Sequence, residues 1–349
     1  SVEAGAVLGD LCQRADAGHY SAETAAWLEA VTGELLEPEL CDAAGSPLDQ
    51  AVVKLRISHR FSAASGIGKL AEAVNAGDAG AVRRVFDRGH ADLSQQRSLD
   101  DAALRRLVVD GAPEGFAGQG AGRVEGGKAV PPPAGYRHYL ARMSQGKPGI
   151  DAPQADFDAW AREVLAAYGQ FQLLCALRSG PQGVAGLNQR IAGLLRAEGL
   201  LEADHGGWYP GRPVLVTRND YGLGLMNGDV GVTLAMPAWV PGEQRPRWTL
   251  RVAFAAGDGQ GGIRWVLPSR LRAVETVFAM TVHKSQGSEF AHAALLLPER
   301  ASPVLTRELV YTGITRARHW FTLVAAPEVM QGAVRKRVER VGGLGLRTP

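Results

Sequence analysis

The sequence predicts an α/β protein built on a parallel β-sheet, with a small all-β unit inserted into it. The last part of the chain alternates strands and helices in "TVFAMTV", "HAALLLP", "TRELVYTGITRAR" and "WFTLVAA", which is typical of a parallel sheet with covering helices. Over residues 208–272, short β runs separated by turn signals replace this alternation. A length of 349 residues allows two or three domains.

Charge and cysteine content exclude few partners. The formal charge of +2 comes from 38 Lys and Arg against 36 Asp and Glu, so the balance neither requires nor excludes a polyanion. Cys12, Cys41 and Cys175 are far apart, which argues against a disulfide framework or a zinc site and indicates a cytoplasmic protein. We see no metal site, no signal peptide and no run of the ~20 apolar residues that a membrane span needs. The chain begins at a helix start without Met, and we therefore expect it to be a piece of a longer protein.

The remaining segments can be assigned in order. Residues 1–45 read as two helices, and Ser21 is the expected N-cap of the second, with Trp27, Leu28 and Val31 facing inward. Residues 46–207 combine a strand ending in "SHRF" with several amphipathic helices. Within them, 111–135 is rich in Gly and Pro and is expected to be a mobile surface loop. The β unit 208–272 has the size of an SH3-like barrel, and 273–349 returns to alternating strands and helices.

One polar stretch, "TVHKSQGSEF" at 281–290, separates two apolar strands. In open parallel sheets, ligands bind at the carboxyl ends of the strands, and the pattern places 281–290 at such ends. We therefore expect a site here.

A second stretch, "SGIGKL" at 65–70, resembles a phosphate-binding loop but lacks its pattern. GxxxxGK[ST] lets successive backbone N–H groups surround phosphates, while the hydroxyl holds Mg²⁺. Ala63 stands where the first Gly belongs, and Leu70 replaces the Ser or Thr. No other segment of the chain fits, and the default interpretation of "SGIGKL" is an ordinary helix start.

Several motifs together resemble a known family. "AMTVHKSQGSEF" and "RELVYTGITRAR" are similar to the fifth and sixth motifs of superfamily-one helicases. With "RISHRFSAASGIGKLAEAVNAGD", "LLCALRSGPQGVAGLNQRI" and "RNDYGLGLMNGDVGV", the resemblance narrows to the RecD family, the alpha chains of the RecBCD exodeoxyribonuclease V complex. It extends over most of residues 1–347, except 111–135.

The resemblance implies a fold and a position within the family. Residues 1–45 would be a helical remnant of a first motor domain, and the rest would be a second RecA-like motor domain of the P-loop NTPase type, lacking the P-loop and carrying an inserted SH3-like β-barrel. The phosphate loop of such proteins lies in their N-terminal half. ATP and Mg²⁺ would thus be cofactors of the intact protein, bound mainly outside this chain.

The resemblance also assigns nucleotide-binding residues. Arg316 and Arg60 would neutralise charge on the transferred phosphoryl group; the alternatives are packing for Arg316 and a surface cation for Arg60. Glu289 would lie near the nucleotide sugar, and Gly287 would let the backbone approach a ligand closely. Gln286 could serve either the nucleotide or DNA.

DNA-binding residues follow from the same resemblance. Thr281, His283, Lys284 and Ser285 would offer donors to DNA phosphates, although His283 could equally be a hydrogen-bonded core histidine. In the β unit, Arg218, Asn219 and Tyr221 would hold single-stranded DNA by stacking and charge, or would form an ordinary β-turn.

The implied function is that of the C-terminal motor half of an ATP-dependent 5′ to 3′ DNA helicase acting in double-strand break repair and recombination. The expected partners are single-stranded DNA and RecB-like and RecC-like subunits, and no membrane. Two alternatives stay open. One is a free-standing RecD-like helicase, and the other is a non-catalytic module that binds DNA or a subunit.

Overall fold

The structure, a computed structural model, describes residues 12, 14–54, 61–62, 64–202, 206–239, 242, 244–257 and 261–338. The chain divides into two units, Ser65–Arg337 and a smaller one formed by Ser1–Ala64 with Val338–Pro349. Most of the first predicted helix and the "LRISHR" part of the predicted strand lie outside the described residues.

The smaller unit contains one described α-helix, α1 (Ala22–Thr32). Its ends agree with the sequence, because the Ser21 hydroxyl accepts the Thr24 N–H at 3.1 Å and Gly33 ends the helix with a φ of +76°. The face of α1 that was predicted to point inward is not buried in the structure. Trp27 is 61% exposed and Val31 is 64% exposed, since no described residue of this unit covers that side of α1.

The larger unit contains eight further α-helices among its described residues. They are α2 (Gly66–Ala76), α3 (Ala79–Asp87), α4 (Asp101–Arg105), α5 (Arg137–Gln145), α6 (Gln154–Tyr168), α7 (Val184–Ala197), α8 (Arg307–Ile314) and α9 (Pro327–Arg335). The strands are β1 (Leu93–Gln96), β2 (Arg123–Glu125), β3 (Lys128–Val130), β4 (Phe171–Cys175), β5 (Pro213–Val216), β6 (Val230–Ala238), β7 (Arg247–Ala255), β8 (Ile263–Val266), β9 (Val274–Thr276), β10 (Ala279–Thr281), β11 (Phe290–Leu296) and β12 (Ala317–Val324).

Five strands form a wholly parallel sheet in the order β1-β12-β11-β4-β10. Every residue of the internal strand β4, "FQLLC", is buried, as expected for a strand covered on both faces. Desolvation in this layer raises the pKa of the Cys175 thiol to about 12. The predicted α/β class with a parallel sheet is therefore confirmed.

The inserted β unit is a five-stranded antiparallel sheet in the order β8-β7-β6-β5-β9. Its core is formed by Val214, Val216, Val252, Phe254 and Val266. The last strand, β9, lies beyond the predicted range 208–272 and leads through two buried residues directly into β10. Among the described residues, the edge strands β8 and β9 do not pair with each other.

The segment 111–135, predicted to be a surface loop, contains two 3-10 turns and the β2–β3 hairpin. Phe116 and Val130 are buried against Trp320. Arg123 lies 4.3 Å from the centre of the Trp320 ring and donates to the His319 carbonyl at 2.7 Å. Such short elements produce no periodicity that a sequence pattern could reveal.

Candidate functional site

The polar segment 281–290 runs from the carboxyl ends of the strands of the parallel sheet, which we call the carboxyl edge, to their amino ends, which we call the amino edge. Thr281 is in register with Cys175, the last residue of β4, whereas His292 is in register with Phe171, the first. The chain must return in this way because successive parallel strands run in the same direction. The expectation that all of 281–290 lies at the carboxyl ends is therefore wrong, because Ser288 and Glu289 lie at the amino end of β11.

At the carboxyl edge, Thr281 begins a 3-10 turn, Val282–Ser285, and its hydroxyl accepts the Lys284 N–H at 3.4 Å. His283 is exposed, which excludes the alternative of a core histidine. Ser285 is fully buried and donates its hydroxyl to the Val282 carbonyl at 2.7 Å. In this arrangement Ser285 closes the turn and presents no donor to a DNA phosphate, contrary to the prediction.

A groove of about 540 Å³ opens beside Thr281 and Lys284. Four cations line it, namely Arg178, Arg196, Arg212 and Lys284. Glu275 is the one carboxylate among the described lining residues. A concave surface with this excess of positive charge suits a phosphate backbone. Three of the four cations were missed from sequence, although Arg178 follows the carboxyl end of β4, where ligands bind.

Aromatic rings and hydroxyls hold two of these guanidinium groups. Arg212 donates to the Thr276 hydroxyl at 3.0 Å and lies 4.4 Å from the centre of the Trp208 ring. Arg196 lies 4.9 Å from the centre of the Tyr209 ring. Such contacts orient an arginine side chain before a ligand arrives.

Asn188, on α7, secures the edge strand that carries Thr281. Its side-chain amide accepts the Ala279 N–H at 3.0 Å and donates to the Ala279 carbonyl at 2.9 Å. In the part of the chain that the structure describes, no strand pairs with β10 on this side, and the Asn188 amide bonds to the backbone groups that such a strand would meet.

At the amino edge, Arg316 joins the two helicase-like motifs. Its guanidinium donates to the carbonyls of Ser288 and Thr312, each at 3.1 Å, and to the Thr315 hydroxyl at 3.3 Å. Its carbonyl accepts the Phe290 N–H at 2.9 Å. The fork of Arg316 is therefore held at the point where 281–290 enters β11.

Three further predicted nucleotide-binding residues lie on the same crossing segment. Glu289 is exposed and forms an ion pair with Arg318 at 2.8 Å. Gln286 is exposed. Gly287 has a φ of +84°, and an added Cβ would meet nothing within 4 Å, so its backbone conformation explains the glycine better than a close approach does. Arg60 lies outside the described residues.

Arg218, Asn219 and Tyr221 are exposed on the loop that follows β5, and Tyr221 is 78% exposed. The Asn219 amide donates to the Tyr221 hydroxyl at 3.2 Å. Arg218 and Asn219 line a separate hollow of about 410 Å³ that also contains Arg270 and Arg272. Because Arg212 and Thr276 meet at the opposite end of β5, the structure does not bring this loop together with Thr281.

The stretch "SGIGKL" forms the start of α2 and is occupied by a side chain. The Asp92 carboxylate accepts the Gly66 N–H at 3.0 Å, the Ile67 N–H at 3.1 Å and the Ser65 hydroxyl at 2.9 Å. Because it accepts these N–H groups, the buried Asp92 carboxylate takes the position that a phosphate takes at a phosphate-binding helix start. This segment does not fit a nucleotide phosphate, in agreement with its interpretation as an ordinary helix start.

Comparisons with known proteins agree with the motifs. The UvrD-like helicase C-terminal domain matches residues 276–324. RecBCD enzyme subunit RecD of Haemophilus influenzae is 35% identical, over 99% of this chain and 48% of that protein. RecBCD enzyme subunit RecD of Mycobacterium tuberculosis is 34% identical, over 92% of this chain and 47% of that protein.

The chain is a homologue of RecD subunits. The predicted resemblance to the RecD family is thereby confirmed, and the chain spans about half the length of the RecD relatives it matches.

Two further similarities are weaker. The ATP-dependent RecD2 DNA helicase of Deinococcus radiodurans is 31% identical over 55% of this chain and 26% of that protein. Among solved structures, Pif1 helicase from Bacteroides with ADP-AlF3 and ssDNA aligns at a TM-score of 0.30 with 15% identity, over 58% of this chain and 49% of that one. A structural likeness at this level adds nothing to the RecD homology. Within the described ranges, no helix is both long and apolar enough to cross a membrane.

Proposed function

We propose that this RecD homologue is the C-terminal motor half of an ATP-dependent 5′ to 3′ DNA helicase subunit. It would act in an exodeoxyribonuclease V complex with RecB-like and RecC-like subunits, in double-strand break repair and recombination. In this proposal, residues 46–207 and 273–349 form a second RecA-like motor domain, the antiparallel sheet is its SH3-like insertion, and residues 1–45 belong to a first motor domain. Homology over 99% of the chain supports it.

The groove beside Thr281 carries the DNA-binding part of the proposal. Single-stranded DNA would place its phosphates against Arg178, Arg196, Arg212 and Lys284, with His283 exposed at the same turn. Tracking a backbone with positive charge needs no base-specific contact. The loop with Arg218, Asn219 and Tyr221 would form a second contact at the far end of the antiparallel sheet.

The amino edge carries the nucleotide-binding part. Arg316, together with Arg60, would present a guanidinium to a phosphoryl group held by the other motor domain, where it would stabilise developing charge. Glu289 would lie near the sugar, with Gln286 and Gly287 on the same segment. Hydrolysis of bound ATP, assisted by Mg²⁺, would supply the free energy for translocation.

Single-stranded DNA binding by the chain tests the groove. Arg178→Ala should weaken binding of fluorescein-labelled oligo-dT at least about fivefold at low salt and make the salt dependence shallower by about 0.7, because one phosphate contact is lost. Arg83→Ala, at an exposed position on α3, removes the same charge away from the groove and should leave affinity within about twofold. Equal affinities for both variants would refute the groove as the DNA site.

Co-purification distinguishes the two alternatives, a free-standing helicase and a subunit of a complex. We expect the full-length protein to co-purify from its host with RecB-like and RecC-like chains. The share of this chain matched by RecD, 99%, against 55% for RecD2, favours the complex. Purification without partners, with helicase activity retained, would establish the free-standing alternative.

A further inference from the structure

We infer that Glu275 is an internal phosphate mimic, whose carboxylate holds Lys284 in the DNA-free groove and must be displaced before Lys284 binds a DNA phosphate. The inference rests on the proposed function of the groove and adds a regulatory residue to it. Glu275 is thus a positioning residue that sets how strongly, and with what salt dependence, the groove binds a polyanion.

The ion pair is short and partly shielded from water. The Lys284 ammonium lies 2.5 Å from the Glu275 carboxylate oxygen, and the two side chains are 26% and 39% exposed. An ion pair at this depth is screened less than one on an open surface. It is therefore a real competitor for a phosphate that approaches the same ammonium group.

The surroundings of Glu275 favour replacement by a phosphate. Arg178, Arg196 and Arg212 line the same groove, so the carboxylate lies where three further cations attract negative charge. The neighbouring residue Thr276 accepts from Arg212 at 3.0 Å, and Glu275 is the one carboxylate among the described residues that line the groove. A DNA phosphate diester offers a similar acceptor, with one negative charge shared by two terminal oxygens.

The position of Glu275 links the groove to the rest of the motor unit. Glu275 lies on the edge strand β9, in register with Leu215 of β5. Two buried residues, Val277 and Phe278, connect β9 to β10 and Thr281. Lys284 also lines a second cavity of about 300 Å³, together with Ser288 and Glu289. Lys284 therefore lines both the DNA groove and a cavity that reaches Ser288, whose carbonyl accepts from Arg316.

The pair makes a quantitative prediction about binding. In the wild type, a DNA phosphate can pair with Lys284 only when the ion pair with Glu275 breaks. The net gain in binding free energy and the counterion release are therefore small. If residue 275 carries no charge, Lys284 binds the phosphate directly. The affinity should then rise, and the plot of log K against log salt should become steeper by about 0.7, the value for one more phosphate contact on a single strand.

A double-mutant cycle tests the inference on the full 349-residue chain. Binding of a fluorescein-labelled oligo-dT of about 20 nucleotides is followed by anisotropy between about 50 and 200 mM NaCl. We expect Glu275→Gln to lower the Kd about three- to tenfold. In the Lys284→Met background, Glu275→Gln should no longer tighten binding by about three- to tenfold, because no ammonium group is left for Glu275 to hold. Asp101→Asn, which removes a carboxylate paired with Arg190 at 2.6 Å, is the charge control, because neither residue is among those that line the groove.

A merely structural role for Glu275 gives a different result. Loss of a structural ion pair lowers the melting temperature and weakens or preserves DNA binding, whereas we expect tighter binding without a higher melting temperature. Unchanged or weaker binding by Glu275→Gln, with an unchanged salt slope, overturns the inference even if Arg178→Ala confirms the groove. If neither the wild type nor any variant binds oligo-dT, the proposed DNA groove fails as well. If Glu275→Gln and Asp101→Asn increase the DNA affinity equally, the effect is due to the change in net charge alone, and the inference is overturned.

Discussion

Gly287 lies at the middle of the crossing segment with a φ of +84°, and a Cβ there would point into open space. A residue with a Cβ at this position would therefore be strained by the left-handed backbone conformation and would not clash with a neighbour. Gly287→Ala should lower the free energy of unfolding by about 1 kcal/mol. Gly193→Ala is the matched control, because Gly193 lies inside α7 with equally open surroundings and should raise it by about 0.5 to 1 kcal/mol. Urea denaturation of both variants measures the difference, and a stabilising Gly287→Ala would contradict the strain.

Arg316 gives the most direct test of the proposed catalytic role, because its guanidinium is proposed to stabilise charge on the phosphoryl group. Arg316→Ala in the intact full-length protein should reduce DNA-stimulated ATP hydrolysis by about 10³-fold, because an arginine that faces the transferred phosphoryl group stabilises its charge. Binding of oligo-dT and the melting temperature are measured alongside, since Arg316 also bonds to the carbonyls of Ser288 and Thr312. ATP hydrolysis within about twofold of the wild type, with Arg83→Ala as the control, would exclude the role.

At the scale of elements, an ion-pair network joins α4, α5 and α7. Glu198, just after α7, accepts from Arg105 at 2.7 and 2.8 Å and from Arg137 at 2.9 Å. Asp110 pairs with the same two arginines at 3.1 and 2.8 Å. The hydrogen bonds from Arg105, followed by those from Arg137, lower the pKa of Glu198 from 4.5 to about 2.

This shift predicts a pH dependence with a definite sign. Because the pKa of Glu198 is lower in the folded than in the unfolded state, its stabilising contribution is complete above about pH 4.5 and is lost as the pH falls towards about 2. Glu198→Gln should lower the urea midpoint at pH 7 and flatten the decline of that midpoint at acidic pH. Glu163→Gln, at an exposed position on α6, should keep the decline of the wild type. Parallel declines for the two variants would show that Glu198 does not contribute.

The crossing segment shows how far sequence patterns reach at this scale. Its polar residues and apolar flanks predicted a site between two strands, and the structure places 281–290 between β10 and β11. Which edge each residue occupies depends on register with β4, a pairing between residues more than a hundred positions apart. Ser285 was misjudged for the same reason, because burial of a hydroxyl depends on the elements packed around it.

At the scale of the whole molecule, the chain covers 48% of its relative from Haemophilus influenzae and contains no GxxxxGK[ST] motif. Without backbone donors to surround the β and γ phosphates, the chain should not hydrolyse ATP on its own. Phosphate release with and without oligo-dT measures this, with the intact protein as the positive control. Turnover by the purified chain that survives Asp92→Ala and is abolished by Lys69→Ala would show that "SGIGKL" does bind phosphate.

The sequence by itself determined the fold class, the inserted β unit, the absence of a phosphate-loop motif and the resemblance to RecD subunits, because these follow from local periodicity and from motifs of fixed spacing. Only the tertiary structure decided which residues share a site. Arg178, Arg196, Arg212, Glu275 and Lys284 come from separate parts of the chain and meet in one groove, and Asp92 reaches the start of α2 from beyond the next helix. Such meetings depend on strand order and helix packing, and no local pattern encodes which distant charges will face one another.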